Sequence, residues 1–258
     1  MEDQIVMDNA IDNSEIMDFS NGIKLYKDIK ERTDGEIYIG VVGPVRCGKS
    51  TFIKRFMDLM VLPAIKDQHK RNRANDELPQ SSAGKTIMTT EPKFIPKEAA
   101  VISIDDETEV KVRLIDCVGY MTRGATGHIE DGKERMVKTP WFDYEIPFTT
   151  AATIGTKKVI TDHSTIGLVI TADGSFGDFT KEDYEEGLAQ TITELKDIGK
   201  PFIVLINSSK PYSESCKNYG KEIADKYDVT TIPVNCSQLK AEDIRDILEK
   251  CLMEFPIS

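Results

Sequence analysis

Eight consecutive residues, Gly43-Pro44-Val45-Arg46-Cys47-Gly48-Lys49-Ser50, restrict this chain more than any other feature. They satisfy the pattern G-x-x-x-x-G-K-[ST], which chance would place in roughly one chain in a hundred of this length and ordinary composition. The context is the one in which the pattern has physical sense. The short apolar run IYIGVV (37–42) precedes it, and STFIKRFMDLM (50–60) follows with Phe52, Ile53, Phe56, Met57 and Met60 at helical spacing until Pro63 stops it. In a strand–loop–helix of this kind the glycines let the backbone curl, so that successive N–H groups converge on phosphate oxygens. The positive end of the helix then adds to the attraction. Lys49 would pair with β- and γ-phosphates, and the Ser50 hydroxyl would hold Mg²⁺ with Thr51 close behind.

Strand-like and helix-like segments alternate from Glu36 onward, which predicts an α/β domain built on a mainly parallel sheet with helices on both faces. AAVISI and EVKVRLID flank the polar turn DDET and predict an antiparallel hairpin. STIGLVIT (164–171), FIVLIN (202–207) and TTIPVN (230–235) read as further strands. Helices are expected over 181–198, 214–227 and 240–254, the first with Tyr184, Leu188, Ile192 and Leu195 on its apolar face. Residues 64–90 read as a long polar loop, and 120–148 as a Gly- and charge-rich insertion holding the single tryptophan, Trp141.

At 258 residues, one well-filled core is expected. No apolar run approaches the roughly 18 residues needed to span a bilayer. Residues 1–22 carry six acidic side chains and no lysine or arginine, which predicts a disordered acidic tail rather than a secretory leader. The five cysteines (Cys47, Cys117, Cys216, Cys236, Cys251) form no CxxC pair, so reduced thiols are expected rather than a disulfide framework or zinc site. A net charge of −11 disfavours nucleic acid and anionic membranes as partners. The basic stretch KDQHKRNR (66–73) is read as a solvated loop.

The second strand of the hairpin ends in LIDCVG, giving Asp116-x-x-Gly119. After a phosphate-loop unit, such a carboxylate reaches Mg²⁺ through water and the glycine amide senses the γ-phosphate. GKTIMTTEPKF (84–94) lies just before the hairpin, and Thr86, Thr89 and Thr90 are all candidates for a metal-ligating switch threonine. An antiparallel strand beside the D-x-x-G strand belongs to the switch-protein branch and argues against a small-molecule kinase. Ras-like enzymes place a water-orienting glutamine after the glycine. Here that residue is Tyr120, so the water must be positioned otherwise. Arg46 stands where potassium-dependent GTPases carry a cation-holding asparagine, and its guanidinium either supplies positive charge in cis or merely points to solvent. Cys47, next but one to Lys49, is either a low-pKa thiol or a small side chain that fits the loop, and the second is the expectation.

FIVLINSSKPY (202–212) ends a strand on Asn207 where switch proteins read Asn-Lys-x-Asp. In that pattern the aspartate accepts two hydrogen bonds from guanine. Lys210 stands in its place and only donates, so it opposes guanine's donors and suits the acceptor N1 of adenine. Mismatches of this kind discriminate by about 10⁴-fold. ATP is therefore the expected nucleotide, with Ser237 in PVNCSQ closing the pocket near the base.

The blocks YKDIKERT, IYIGVVGPVRCGKSTFIKRFM, DELPQSSAGKTIMTTEPKF, RLIDCVGY, TPWFDYEIPF, HSTIGLVITADGSFGD and GKPFIVLINSSKPY together resemble the stage IV sporulation protein A family, of the translation-factor-like GTPase branch. The resemblance runs from about Ile23 to Ser258, and it implies an ATPase domain over 23–258. It implies ATP binding and hydrolysis, with hydrolysis driving self-assembly into a static polymer of the spore coat basement layer. The place implied is the mother-cell cytoplasm, at the outer surface of the forespore. Lys49, Asp116 and the threonine pair Thr89 and Thr90 match the residues that carry activity in the family, which makes Ser50, Thr89 and Asp116 the expected Mg²⁺ ligands. Coat proteins and a small membrane-bound peptide are implied partners through middle and C-terminal regions, which the family carries beyond the point where this chain ends. Cys47 departs from the threonine that the family places there. Two other readings stay open: a GTPase, favoured by the fold branch and opposed by Lys210, and a scaffold that binds nucleotide without turnover, motivated by Tyr120.

Overall fold

The apolar run ending at the phosphate loop forms strand β1, Glu36–Val42, at the centre of a six-stranded sheet. The computed structural model describes residues 35–79, 91–103 and 109–255. After β1 come helix α1, Lys49–Phe56, and helix α2, Gln68–Asp76. The hairpin follows as β2, Lys93–Ser103, and β3, Glu109–Asp116. Two small antiparallel ribbons are next, β4 (Ile129–Glu130) with β5 (Lys133–Glu134) and β6 (Met136–Thr139) with β7 (Phe142–Pro147). Helix α3, Phe148–Lys158, leads to β8, Ile166–Ala172. The chain then alternates as α4 (Lys181–Asp197), β9 (Phe202–Asn207), α5 (Glu214–Tyr227), β10 (Thr231–Val234) and α6 (Ala241–Met253).

The sheet order is β10-β9-β8-β1-β3-β2, with every neighbouring pair parallel except β2 and β3. This is the α/β P-loop NTPase fold of the G-protein-like branch. Its inner strands read as unbroken apolar runs because both faces are covered. Ile39, Val41, Leu168, Ile170, Ile203 and Leu205 pack toward α1 and α6, against Phe52, Phe56, Ile244 and Leu248. Their alternates Val42, Val169, Val204 and Ile206 face Leu188, Ile192 and Leu195 of α4 and Tyr219 and Ile223 of α5. Burial of each large side chain contributes about 1.5–3 kcal/mol, so the two layers hold the strand ends in fixed register. The α4 start is set by a capping box, in which the Asp183 carboxylate accepts from the Thr180 N–H at 2.8 Å.

The expected strands and the helices at 181–198, 214–227 and 240–254 are all present, and apart from β2 their ends fall within two residues of the expectation. The helix expected over 50–60 is α-helical only to Phe56 and continues as a π turn, Met57–Val61, and a 3₁₀ turn holding Pro63. Two expectations need correction. The polar stretch 64–90 contains α2, whose start is fixed by the Asp67 carboxylate accepting the Lys70 N–H at 2.8 Å and which buries only Ala74. The insertion read at 120–148 is structured as the two ribbons and runs on into α3, which periodicity did not predict. The buried side of α3 is made largely of Ala151, Ala152, Gly155 and Thr156, which give little apolar signal. Strand β2 also begins six residues before AAVISI, with a register shift between Ile95 and Ala100. The acidic tail and the turn DDET lie outside the described residues.

Candidate active site

Strand β1 pairs with β3 on one side and β8 on the other, so the chain leaving β1 enters a crevice at the carboxyl edge of the sheet. Open α/β sheets bind ligands at such a switch point. The loop there is built by three left-handed residues, Gly43 (φ 131), Arg46 (φ 66) and Gly48 (φ 112). A Cβ on Gly43 would overlap the Ile170 carbonyl oxygen, and one on Gly48 would overlap the Asn207 side-chain amide. Both consensus glycines are therefore required by the neighbouring strands β8 and β9 as well as by their own dihedrals.

Lys49 is only 5% exposed, and its ammonium donates to the Pro44 carbonyl at 2.6 Å and the Gly43 carbonyl at 3.2 Å. The charge is thus solvated by the loop itself. Ser50 and Thr51, half-buried, occupy the first turn of α1. Pro44 and Val45 are buried, and Pro44 makes an isolated parallel bridge to Tyr120. Arg46 carries an exposed side chain, while its carbonyl accepts from the Tyr184 hydroxyl at 3.4 Å. Cys47 is fully buried, and desolvation pushes its thiol pKa up in spite of the Lys49 charge. The reactive-thiol reading is thereby disfavoured: Cys47 is a small side chain filling the loop.

Asp116 ends β3 in register with Val41 of β1, beside the loop. Burial raises its carboxyl pKa to about 6, against the lowering effect of the Lys49 charge. Three residues on, Gly119 (φ 96) lies so close to the loop that a Cβ would overlap the Gly43 carbonyl and sit 2.5 Å from Lys49 Nζ. The Gly119 N–H donates to Thr156 Oγ1 on α3 at 3.1 Å.

Tyr120 is 2% exposed and turns away from the crevice, its hydroxyl donating to the Glu194 carboxylate on α4. Burial and that carboxylate hold the phenol well above its usual range. Its main chain is joined to the phosphate loop, because the Val45 N–H donates to the Tyr120 carbonyl at 2.8 Å. Thr122 Oγ1 donates to the Val45 carbonyl at 2.6 Å.

On the opposite flank, the buried Asn207 donates from Nδ2 to the Cys47 carbonyl at 3.1 Å and accepts the Cys236 N–H on Oδ1 at 3.1 Å. It ties together the loop, the end of β9 and the segment after β10. Lys210 is exposed, its N–H bonded to Ser208 Oγ at 3.0 Å. Ser237 is exposed and folded onto Asn235, donating from Oγ to Oδ1 at 2.7 Å. Asp173 and Ser175 join the same edge, since Ser175 Oγ donates to Asp173 Oδ1 at 2.5 Å and accepts the Ser209 N–H at 2.7 Å.

The fold therefore gathers Gly43 to Thr51, Asp116, Gly119, Asn207, Lys210 and Ser237 along one edge. Thr86, Thr89 and Thr90 lie outside the described residues. Sequence reasoning missed Thr122, Thr156, Ser175 and Glu194. Of these, only Ser175 sits in a recognisable turn (DGS), and Thr156 has no local signal.

Comparison with known proteins adds the family. The profile of the stage IV sporulation protein A ATPase domain matches residues 20–256. The chain is 50% identical over 235 residues to stage IV sporulation protein A of Bacillus subtilis strain 168, covering 91% of this chain and 48% of that protein. With the namesake in Clostridioides difficile strain 630 it is 49% identical over 234 residues, with the same coverage. The chain spans about half the length of the curated relatives it matches. Two crystallised SsGBP glycine variants align over 95% and 92% of the chain, at TM-scores of 0.47 and 0.48 and identities of 15% and 16%. Those scores are too low to add to the strand order. This chain belongs to the family of the stage IV sporulation protein A ATPase domain.

Proposed function

We propose that the chain binds MgATP in this crevice and hydrolyses it to ADP and phosphate, the hydrolysis driving self-assembly of a spore coat basement layer. One observation carries the reading. The Lys49 ammonium is buried against two loop carbonyls, beside Asp116 and the Gly119 peptide, ready to exchange those carbonyls for phosphate oxygens. Residues Gly43 to Thr51 supply the amides and hydroxyls of the cradle. Asp116 and Ser50 fit a divalent cation, because the desolvated carboxyl has a raised pKa that a neighbouring positive charge would offset. Mg²⁺ held there, with Thr89 as a further ligand, would neutralise charge on the β- and γ-phosphates.

Lys210 and Ser237 line the base end, and Lys210 favours adenine by opposing the donors of guanine. Asn207 serves the nucleotide by bracing the loop. With Tyr120 facing the core, water placement falls to Thr89 and Thr90, and Arg46 supplies charge toward the transition state, a contribution worth about 10³-fold or more. Residues 23–258 act as one ATPase unit at the forespore surface in the mother cell. Coat proteins and a membrane-bound peptide engage the full-length assembly. Among the described residues no helix is long and apolar enough to cross a membrane.

Phosphate release at saturating MgATP tests the reading: turnover lost with Lys49→Ala and reduced with Arg46→Ala is expected. Full turnover in Arg46→Ala removes the cis-charge role. The sheet order favours GTP as a second reading. Competition between ATP and GTP separates the two, and Lys210→Asp should move preference toward GTP. The buried Tyr120 favours a third reading, binding without turnover, which predicts tight nucleotide binding and no phosphate release.

A further inference from the structure

We propose that Thr156, on the helix that closes the insertion, tunes the preference for a nucleoside triphosphate over a diphosphate, keeping it below what a free Gly119 amide would give. It does so by holding the Gly119 amide until a γ-phosphate takes it. This rests on the proposed nucleotide reading, in which Gly119 N–H is the γ-phosphate donor, and adds a residue that no phosphate-binding motif contains.

The Gly119 N–H donates to Thr156 Oγ1 at 3.1 Å. Thr156 Oγ1 in turn donates its own proton to the Ala152 carbonyl at 2.8 Å, so a lone pair is left facing Gly119. Thr156 is 0% exposed, and water does not compete for either bond. The Gly119 peptide lies directly on Lys49 and Gly43, where a side chain would overlap both. One amide hydrogen makes one good hydrogen bond, so Thr156 and a γ-phosphate oxygen exclude each other. Reorienting the peptide toward phosphate is open to residue 119 because it is glycine. A diphosphate offers nothing to draw the amide away, and the bond to α3 persists. The hand-over thus tells the insertion which nucleotide is bound.

Three other buried groups around the loop are already committed. Tyr120 is bonded to Glu194, Thr122 to Val45, and Asn207 to Cys47 and Cys236. The Gly119–Thr156 bond lies beside Lys49 and joins the D-x-x-G segment to α3, where the Cys117 thiol also meets the Thr156 hydroxyl.

The test measures binding of Mg²⁺ complexes of ADP and of a non-hydrolysable ATP analogue to the chain and to two variants. Thr156→Val leaves the Gly119 amide unpaired except when a γ-phosphate is present, so affinity for the analogue should rise about tenfold while that for ADP stays unchanged. Thr156→Ser restores the acceptor and should behave as the unaltered chain. Equal shifts for the two nucleotides, or none in Thr156→Val, would overturn the proposal. Failure of the unaltered chain to bind either nucleotide would overturn the ATP reading and this proposal with it. Should Thr156→Val not fold, the Thr156 methyl resonance of the unaltered chain decides. It should move with the analogue and stay in place with ADP, and identical spectra would sink the idea.

Discussion

The two flanks of the phosphate loop are held by different kinds of bond. On the base side, Asn207 uses both ends of its amide on main-chain groups of Cys47 and Cys236, inside a dry junction of β9, β10 and the loop. No phosphate group is a better partner for those atoms, so this flank is permanent scaffold. On the γ side, Lys49 rests on two loop carbonyls and Gly119 on Thr156, and each of these partners is one that a phosphate oxygen can replace. In the proposed reading, the contrast separates what stays fixed to bind nucleotide from what changes to report binding.

Changes on the γ side should cost activity, and those on the base side should cost stability. The largest effect is expected for Lys49→Ala, with phosphate release falling about 10³-fold or more while the thermal midpoint hardly moves. A variant that also unfolds would show that the lysine is scaffold as well. Asn207→Ala strands a buried carbonyl and a buried N–H, and should destabilise the nucleotide-free chain by about 2–4 kcal/mol in denaturant titration. A loss of nucleotide affinity without a loss of stability would reverse the division of roles.

Asp116→Asn probes the tension between the two demands. Its folded pKa, near 6, lies above the ordinary aspartate value of 3.8, so the folded state holds the proton more tightly than the unfolded. Stability is therefore lost through this group as pH rises from about 4 to about 6, and the penalty is complete above that. Asparagine should remove that slope and raise stability at neutral pH by about 1–2 kcal/mol, while phosphate release fails. A nucleotide-free chain whose stability through pH 4–6 is the same with and without the substitution would refute the desolvation account. The smallest effect is expected for Tyr120→Phe, which removes the hydroxyl bonded to Glu194. About 1 kcal/mol of stability should go, with turnover within a factor of two, because the hydroxyl faces the core. A large loss of turnover would place Tyr120 in the chemistry after all.

Much of the scaffold was legible because its signals are local. The glycines of GPVRCGKS, the apolar runs of β1, β8 and β9, and the Leu188–Ile192–Leu195 face of α4 each encode a backbone shape or a buried side within a few residues. Helix α3 was not legible because small residues line its buried side, and α2 was not because it buries almost nothing. The base flank lies between: Asn207 was found by position, but its use as a brace between Cys47 and Cys236 was not.

By itself, then, the sequence determined a phosphate-binding loop on an α/β sheet, the D-x-x-G segment beside it, and a lysine where a guanine-reading carboxylate would stand. Only the tertiary structure decided which groups occupy the loop's donors and acceptors. It buried Tyr120 against Glu194, and it brought Thr156 onto an amide 37 residues earlier in the chain. The reason is physical: backbone dihedrals and apolar periodicity are written locally, whereas the partner of a buried polar atom is chosen by whatever the packed layers bring within about 3 Å of it.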